Sequence, residues 1–172
     1  MKNTLCGYAL ILLLTCSCTS PPRGITPVSG FELERYLGTW HEIARLDHSF
    51  ERGLGPVTAS YSMREDGGVK VLNRGWSAED KAWKEAAGKA YFVLSPDIGH
   101  LKVSFFGPFY GAYVIFELDP DYRYVFIAGP NKDFLWMLSR SPDISPALRE
   151  HFIKRSKELG FDTTKLIFPI GR

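Results

Sequence analysis

The triplet Gly38-Thr39-Trp40 constrains this chain more than any other feature. A glycine two residues ahead of a tryptophan, opening a strand, lets the backbone turn sharply and swing a large indole inward to fill one end of a closed sheet. An inward indole needs a cover. Much later in the chain, Phe134-Leu135-Trp136-Met137-Leu138-Ser139-Arg140 ends a strand-like run with a single arginine. A guanidinium laid on the indole face would add a cation–π attraction of about 0.5–2 kcal/mol and seal that end.

Between these two blocks the chain reads as a procession of short strands, expected at 39–47, 57–63, 69–76, 83–94, 99–106, 111–118, 122–128 and 134–140. Turn signals separate them at Glu65-Asp66-Gly67-Gly68, Ser95-Pro96-Asp97, Asp119-Pro120-Asp121 and Gly129-Pro130-Asn131. Eight antiparallel strands at this spacing predict an all-β chain, either an up-and-down barrel or a sandwich. Ahead of Gly38, the spacing of Phe31, Leu33, Tyr36 and Leu37 predicts one or two helical turns beneath the sheet. One later segment has a clear helical period. Ser145 caps it, Pro146 takes its first position, and Leu148, Phe152 and Leu159 share one face. Lys154, Arg155 and Lys157 sit near the negative end of its dipole, before Gly160. This helix is expected to pack on the outside of the sheet, and Lys165-Leu166-Ile167-Phe168 to return as a short final strand.

The chain of 172 residues fits one folded domain, large enough to bury a core without a metal or a disulfide. An aromatic content of 14% excludes a disordered chain. After residue 17, twenty basic residues face nineteen acidic ones, a net of +1, which leaves no footprint for nucleic acid. Residues 1–17 read differently: Lys2 is a basic start and residues 5–16 are apolar, the layout of a secretory signal and too short for a bilayer span of ~20 residues. All three cysteines, Cys6, Cys16 and Cys18, lie here or just after, so the barrel holds no disulfide. A cleaved signal with incidental cysteines is one reading. The other is that the segment resembles a bacterial lipoprotein signal, with Cys18 the lipidated first residue of the mature chain and 18–30 a tether. Ser17 precedes Cys18 and Thr19 follows it, whereas a threonine precedes Cys16, the poorer candidate. In that class of protein, absence of Asp after the cysteine implies sorting to the outer membrane, and several acyl chains anchor firmly.

Over its mature length the chain resembles the lipocalins, most closely the bacterial lipocalin lipoproteins related to apolipoprotein D. Gly38-Thr39-Trp40 corresponds to the first motif of that family, Asp121-Tyr122 to the second and Arg140 to the third. The segments from Arg45 to Leu54 and from Lys102 to Gly111 look specifically like the bacterial branch. The resemblance implies an eight-stranded antiparallel calyx over 31–172, closed by Gly38, Trp40, Asp121, Tyr122 and Arg140. It implies a carrier that binds, stores or transports fatty acids or lysophospholipids in the bacterial envelope. No cofactor is expected, and a homodimer is left open. A scaffold lipoprotein and a lipid-modifying enzyme are the alternatives.

An eight-stranded barrel has room for packed side chains or for one small ligand. Alternation from an inward Trp40 predicts an interior of Val57, Ala59, Tyr61, Val71, Asn73, Ala86 and Ala90 in the first half. In the second half it predicts Leu101, Val103, Phe105, Tyr113, Ile115, Phe126, Ala128, Phe134 and Trp136. Small residues mixed with aromatics, nearly free of charge, suit an acyl chain, with Asn73, Tyr61 and Tyr113 meeting a head group near the mouth. The segment 105–111, with Phe105, Phe106, Phe109 and Tyr110, is expected to ring that mouth, either as a docking surface or curled inward as a lid. Catalytic patterns are poor. His41-Glu42 begins like a zinc-protease helix, but Arg45 replaces the second histidine, and His41, His48, His100 and His151 are scattered.

Overall fold

Strand pairing in a computed structural model, which describes residues 19–169, closes the sheet on itself. A short helix α1 (Leu33–Tyr36) leads into β1 (Gly38–Leu46), β2 (Leu54–Met63), β3 (Val69–Ser77) and β4 (Ala82–Phe92). Then come β5 (His100–Ser104), β6 (Gly111–Leu118), β7 (Tyr124–Ala128) and β8 (Leu135–Ser139). Each strand pairs antiparallel with the next, and β1 pairs with both β8 and β2, which makes the closed eight-stranded up-and-down barrel. Helix α2 (Pro146–Glu158) and β9 (Leu166–Ile167) follow, β9 pairing outside the barrel with the end of β1. The capping Ser145 side chain accepts from Leu148 N at 3.2 Å, and Pro146 starts α2. Among the described residues no helix is long and apolar enough to cross a membrane.

The closed end is built around Trp40, which is wholly buried. Its indole N–H donates to Tyr36 O at 2.8 Å, and the Arg140 guanidinium lies 3.9 Å from the ring centroid. The same guanidinium donates to the carbonyls of Thr39, Arg35, Tyr36 and Leu37 at 2.8–3.2 Å, satisfying the end of α1 and the turn into β1. Gly38 takes φ +94°, a backbone conformation that calls for glycine, and a Cβ there would only touch Arg140 Nη1, at 3.4 Å. In the β6–β7 turn the carboxylate that ties the chain belongs to Asp119, which accepts from the backbone N–H of Asp121 and Arg123 and from the Arg123 side chain. Asp121 itself is largely exposed, so its part in closure is through its backbone. Tyr122, at φ +57°, accepts from Glu32 N at 2.8 Å and lies under Arg35.

Two apolar clusters lie on opposite sides of the sheet. The inner one joins Phe31, Tyr36, Trp40, Tyr61, Ile115 and Tyr122, among others; the outer one joins Phe152 of α2 to Phe126, Ala128, Val114, Met137 and Leu135. Phe126 and Ala128, expected inside, therefore face outward under the helix, and Val125 and Ile127 face inward. Strand β7 is apolar on both faces because α2 covers its outer one, so alternation alone could not choose. Ahead of α1, the chain runs along β5 and β6: Val28 N donates to Ile115 O at 2.9 Å, Ser29 bridges to Ile98, and His100 Nε2 lies 2.7 Å from Thr19 O.

Replacing Arg140 by Met removes the cover of the indole and the donors to four carbonyls. Urea unfolding is expected to show a loss of about 2–3 kcal/mol, with Arg140→Lys recovering less than half because an ammonium cannot reproduce the planar fork. Equal stability of Arg140→Met and the parent would refute this account of the closed end.

Candidate ligand site in the barrel

Sequence order places the connections after β1, β3, β5 and β7 at the end away from Trp40, so that end is the mouth. Over the floor stand Tyr36 from α1, Tyr61 from β2 and Tyr113 from β6, their hydroxyls joined at 2.6 Å (Tyr36 to Tyr113) and 2.7 Å (Tyr61 to Tyr113). Burial raises all three phenols, Tyr61 to about 12, so they remain protonated donors. Tyr61 and Tyr113 were expected near the mouth; the bond of Tyr113 to Tyr36 of α1, and of Tyr61 to Tyr113, places them over the floor instead. Around them, with Val71, Ala90, Leu101 and Val103, lies an enclosed void of about 10 Å³. That is room for one water. The expected deep hollow is thus filled at its base by its own side chains.

Higher on the β1 wall the interior is charged, against the expectation of a nearly uncharged lining. A register shift between Glu42 and Ala44 breaks alternation in β1, so that Ile43 and Ala44 both join the outer cluster and Arg45 turns inward with Glu42. Arg45, 2% exposed, bonds to Glu42 and donates to the carbonyls of Glu51 and Leu54 at 3.0 Å each. Those bonds draw the β1–β2 connection inward. Glu51 Oε2 accepts from Trp136 Nε1 at 3.2 Å and lies 3.2 Å from His48 Nε2 without hydrogen-bond alignment. His48 in turn stacks with Phe50 and approaches Phe134 and Trp136.

One cation facing two carboxyls in a dry interior leaves a charge that a proton neutralises. Burial, reinforced by the nearby Glu51, pushes Glu42 up to about 8 despite Arg45, and burial raises Glu51 as well. Burial and the neighbouring Arg45 lower His48 to about 4, so it is neutral. Sequence reading missed this cluster because strict alternation puts Arg45 outside. The signal available was Glu42 and Arg45 in a strand otherwise destined for burial.

Up the β2–β4 wall from floor to mouth, register puts Tyr61, Ala59 and Val57 opposite Val71, Asn73 and Gly75, and Asn73 opposite Ala86, all on the inner face. Asn73 Oδ1 is buried without a partner. Strand β4 pairs with β5 only from Lys89 to Phe92, so its first half, including the exposed Ala86, borders a gap in the wall. Phe105 fills part of that gap, lying against Gly88, where any Cβ would stand 2.9 Å from its ring. Phe134 stacks on Trp136 at the rim. Leu101, Val103, Ile115 and Trp136 complete the interior set. Within the 105–111 connection the side chains divide: Phe105 turns in, whereas Phe106 and Phe109 are 79% and 78% exposed.

A lipocalin-like domain family matches residues 31–170. The chain belongs to the lipocalin family. It is 57% identical to the outer membrane lipoprotein Blc of Vibrio cholerae over 164 residues, covering 92% of this chain and 96% of that one. With the outer membrane lipoprotein Blc of Escherichia coli it shares 49% identity over 160 residues, 93% of this chain and 90% of the relative. Mouse apolipoprotein D is a more distant relative, 31% identical over 75% of this chain and 69% of its own. Among solved structures, insecticyanin of the tobacco hornworm superposes with a TM-score of 0.67 at 20% identity, covering 87% of this chain and 85% of that one, which shows the shared fold. Lipocalins bind small hydrophobic ligands and are typically binding proteins rather than enzymes.

The Glu42 shift has a sign that can be measured in this lipocalin. A carboxyl raised from 4.5 to about 8 means the folded state holds more protons than the unfolded one, so stability falls as pH rises across that interval. His48 works the other way, costing stability as pH falls from 6.5 toward 4. Above pH 6.5 the opposing histidine effect fades as the unfolded imidazole loses its proton, so the carboxyl trend prevails up to pH 8 and thermal melts are expected to show a falling Tm there. Glu42→Gln should flatten the slope; an unchanged slope would show that Glu42 does not carry it.

Proposed function

We propose that this lipocalin is a membrane-tethered carrier of single-chain lipids, a fatty acid or lysophospholipid, in the bacterial envelope. The observation that carries the reading is a barrel sealed at one end by Trp40 and Arg140 and, at the other, lined by apolar and aromatic side chains beside a gap in its wall. The tail lies above the tyrosine layer, against Val57, Ala59, Ala86, Phe105, Phe134 and Trp136, because the floor void is too small for it. Burial of apolar surface, at roughly 25 cal/mol per Å², supplies the affinity. Asn73 Oδ1 and Arg45 Nε, buried and unpartnered, offer the polar contacts. Cys18, which lies outside the described residues as does Cys16, is the acylated residue in this reading. The names of the relatives, outer membrane lipoproteins, support that anchorage and the outer membrane as its location. Pairing of two copies at the membrane is compatible with the same reading.

A second reading has an observation of its own: a floor void of about 10 Å³ also suits a filled barrel that serves as an envelope scaffold. Native mass spectrometry of the mature protein, released in mild detergent, separates the two. The carrier shows an added mass of one fatty acid or lysophospholipid. Val57→Trp, which crowds the upper half opposite Gly75, is expected to weaken binding of a fluorescent fatty acid about tenfold, equivalent to ~1.4 kcal/mol. The outward-facing Thr58→Trp leaves it unchanged. A protein with no added mass that also takes up no lipid in titration is the scaffold.

A further inference from the structure

On the wall away from α2, strands β3, β4 and β5 carry an open groove of about 290 Å³ lined by Arg64, Lys70, Lys89, Ser104, Phe105 and Gly107, among others. Lys70 and Lys89 stand directly opposite one another across the β3–β4 pair. Like charges so placed destabilise a sheet, and among the described residues neither lysine has an ion-pair partner. The lysine ion pairs among the described residues are Lys84 with Asp80 and Lys165 with Asp162. Arg64 is held by Asp66 through two nitrogens, at 3.0 and 2.8 Å, so the positive charge of the groove is that of the two lysines. Ser104, 4% exposed, lines the groove with a buried hydroxyl that has no partner. Two unpaired ammonium groups and an idle hydroxyl donor at one concavity are the chemistry of an anion site.

Two neighbouring features say which anion. Phe105 and Gly107 form the rim of the groove, and between and beyond them Phe106 and Phe109 project almost fully into solvent. The segment that precedes α1 also reaches this wall. Thr19 O lies 2.7 Å from His100 Nε2, and His100, Lys102 and Ser104 alternate on the outer face of β5, the first and last about 13 Å apart along the strand. Cys18 is the residue before Thr19.

We propose that this wall is the membrane-facing surface of the protein, and that the groove holds the phosphate of an anionic phospholipid head group. Phe106 and Phe109 enter the acyl boundary beside it, and the tether enters the same leaflet. The gap beside the first half of β4, which opens on this wall, is thereby brought to the bilayer, so that lipid passes between membrane and barrel without crossing water. The inference rests on tethering through Cys18, but its test does not require the barrel to bind lipid.

The mature chain carrying Cys18→Ser, and so not acylated, is sedimented with vesicles of phosphatidylcholine alone or of phosphatidylcholine with phosphatidylglycerol. Binding is expected only to the anionic vesicles. Lys70→Gln/Lys89→Gln should weaken it roughly 30-fold, the equivalent of ~1 kcal/mol for each lysine near the surface. Phe106→Ser/Phe109→Ser should weaken it too, and neither variant should lower the Tm. Binding of a fluorescent fatty acid in detergent is unchanged in the lysine variant; if the parent fails that assay, the carrier reading fails while the docking result stands. Three outcomes overturn the docking surface. The lysine variant binds anionic vesicles like the parent; inorganic phosphate releases the protein where chloride of equal ionic strength does not, which makes the groove a free-anion site; or the lysine variant turns a dimer into a monomer, which makes the wall a contact between copies.

Discussion

The Arg140 guanidinium against the Trp40 indole is the contact on which the barrel depends. One planar cation covers an aromatic face and satisfies four carbonyls where α1 turns into β1, so the end of β8 meets two elements from the far end of the barrel sequence at a single group. A sheet of eight strands closes only if its first and last strands meet, and this contact sits beside the β1–β8 seam that makes the closure. Gly38 permits the turn, and Tyr122, held by Glu32 N, brings the β6–β7 turn under the same floor.

With the floor consolidated, the remaining asymmetry lies between the two walls of the interior. The β2–β4 wall is built of Val57, Ala59, Asn73, Ala86 and Ala90, and much of the opposite side is aromatic or charged. Arg45 is the pivot there. Its bonds to the carbonyls of Glu51 and Leu54 hold the β1–β2 connection, while Glu42 and Glu51 share its charge in a setting dry enough to favour a proton. A buried ion cluster of this kind is weak support for stability, since replacing it by packed apolar side chains is often neutral or better. Its presence beside the mouth is consistent with a polar head group meeting the barrel there.

The outside is divided as well. Helix α2 covers β6, β7, β8 and the outer residues of β1, so these strands are apolar on both faces. Strands β3 to β5 lie away from α2, and the lysines, the orphaned Ser104 and the contact of Thr19 with His100 collect on them. The one covered side and the one charged side make the outside of the barrel asymmetric.

Residues local in sequence already determined much of this. The strands were readable because turn residues and period-two patterning act within a few positions, and α2 was readable from Ser145, Pro146 and its apolar stripe. The Gly38, Trp40 and Arg140 constellation was visible because few arrangements combine a positive-φ glycine, an inward indole and a late arginine. Tertiary structure alone decided which face of β7 points inward, because a strand covered on both sides carries no alternation. It decided that Arg45 lies inside, because a single shifted residue in β1 reverses every later side chain, and that Asp119, not Asp121, caps the β6–β7 turn. Only the closed barrel could bring three tyrosines together over the floor and set Thr19 against His100 of β5, for these meetings join residues that have no relation until the sheet is closed.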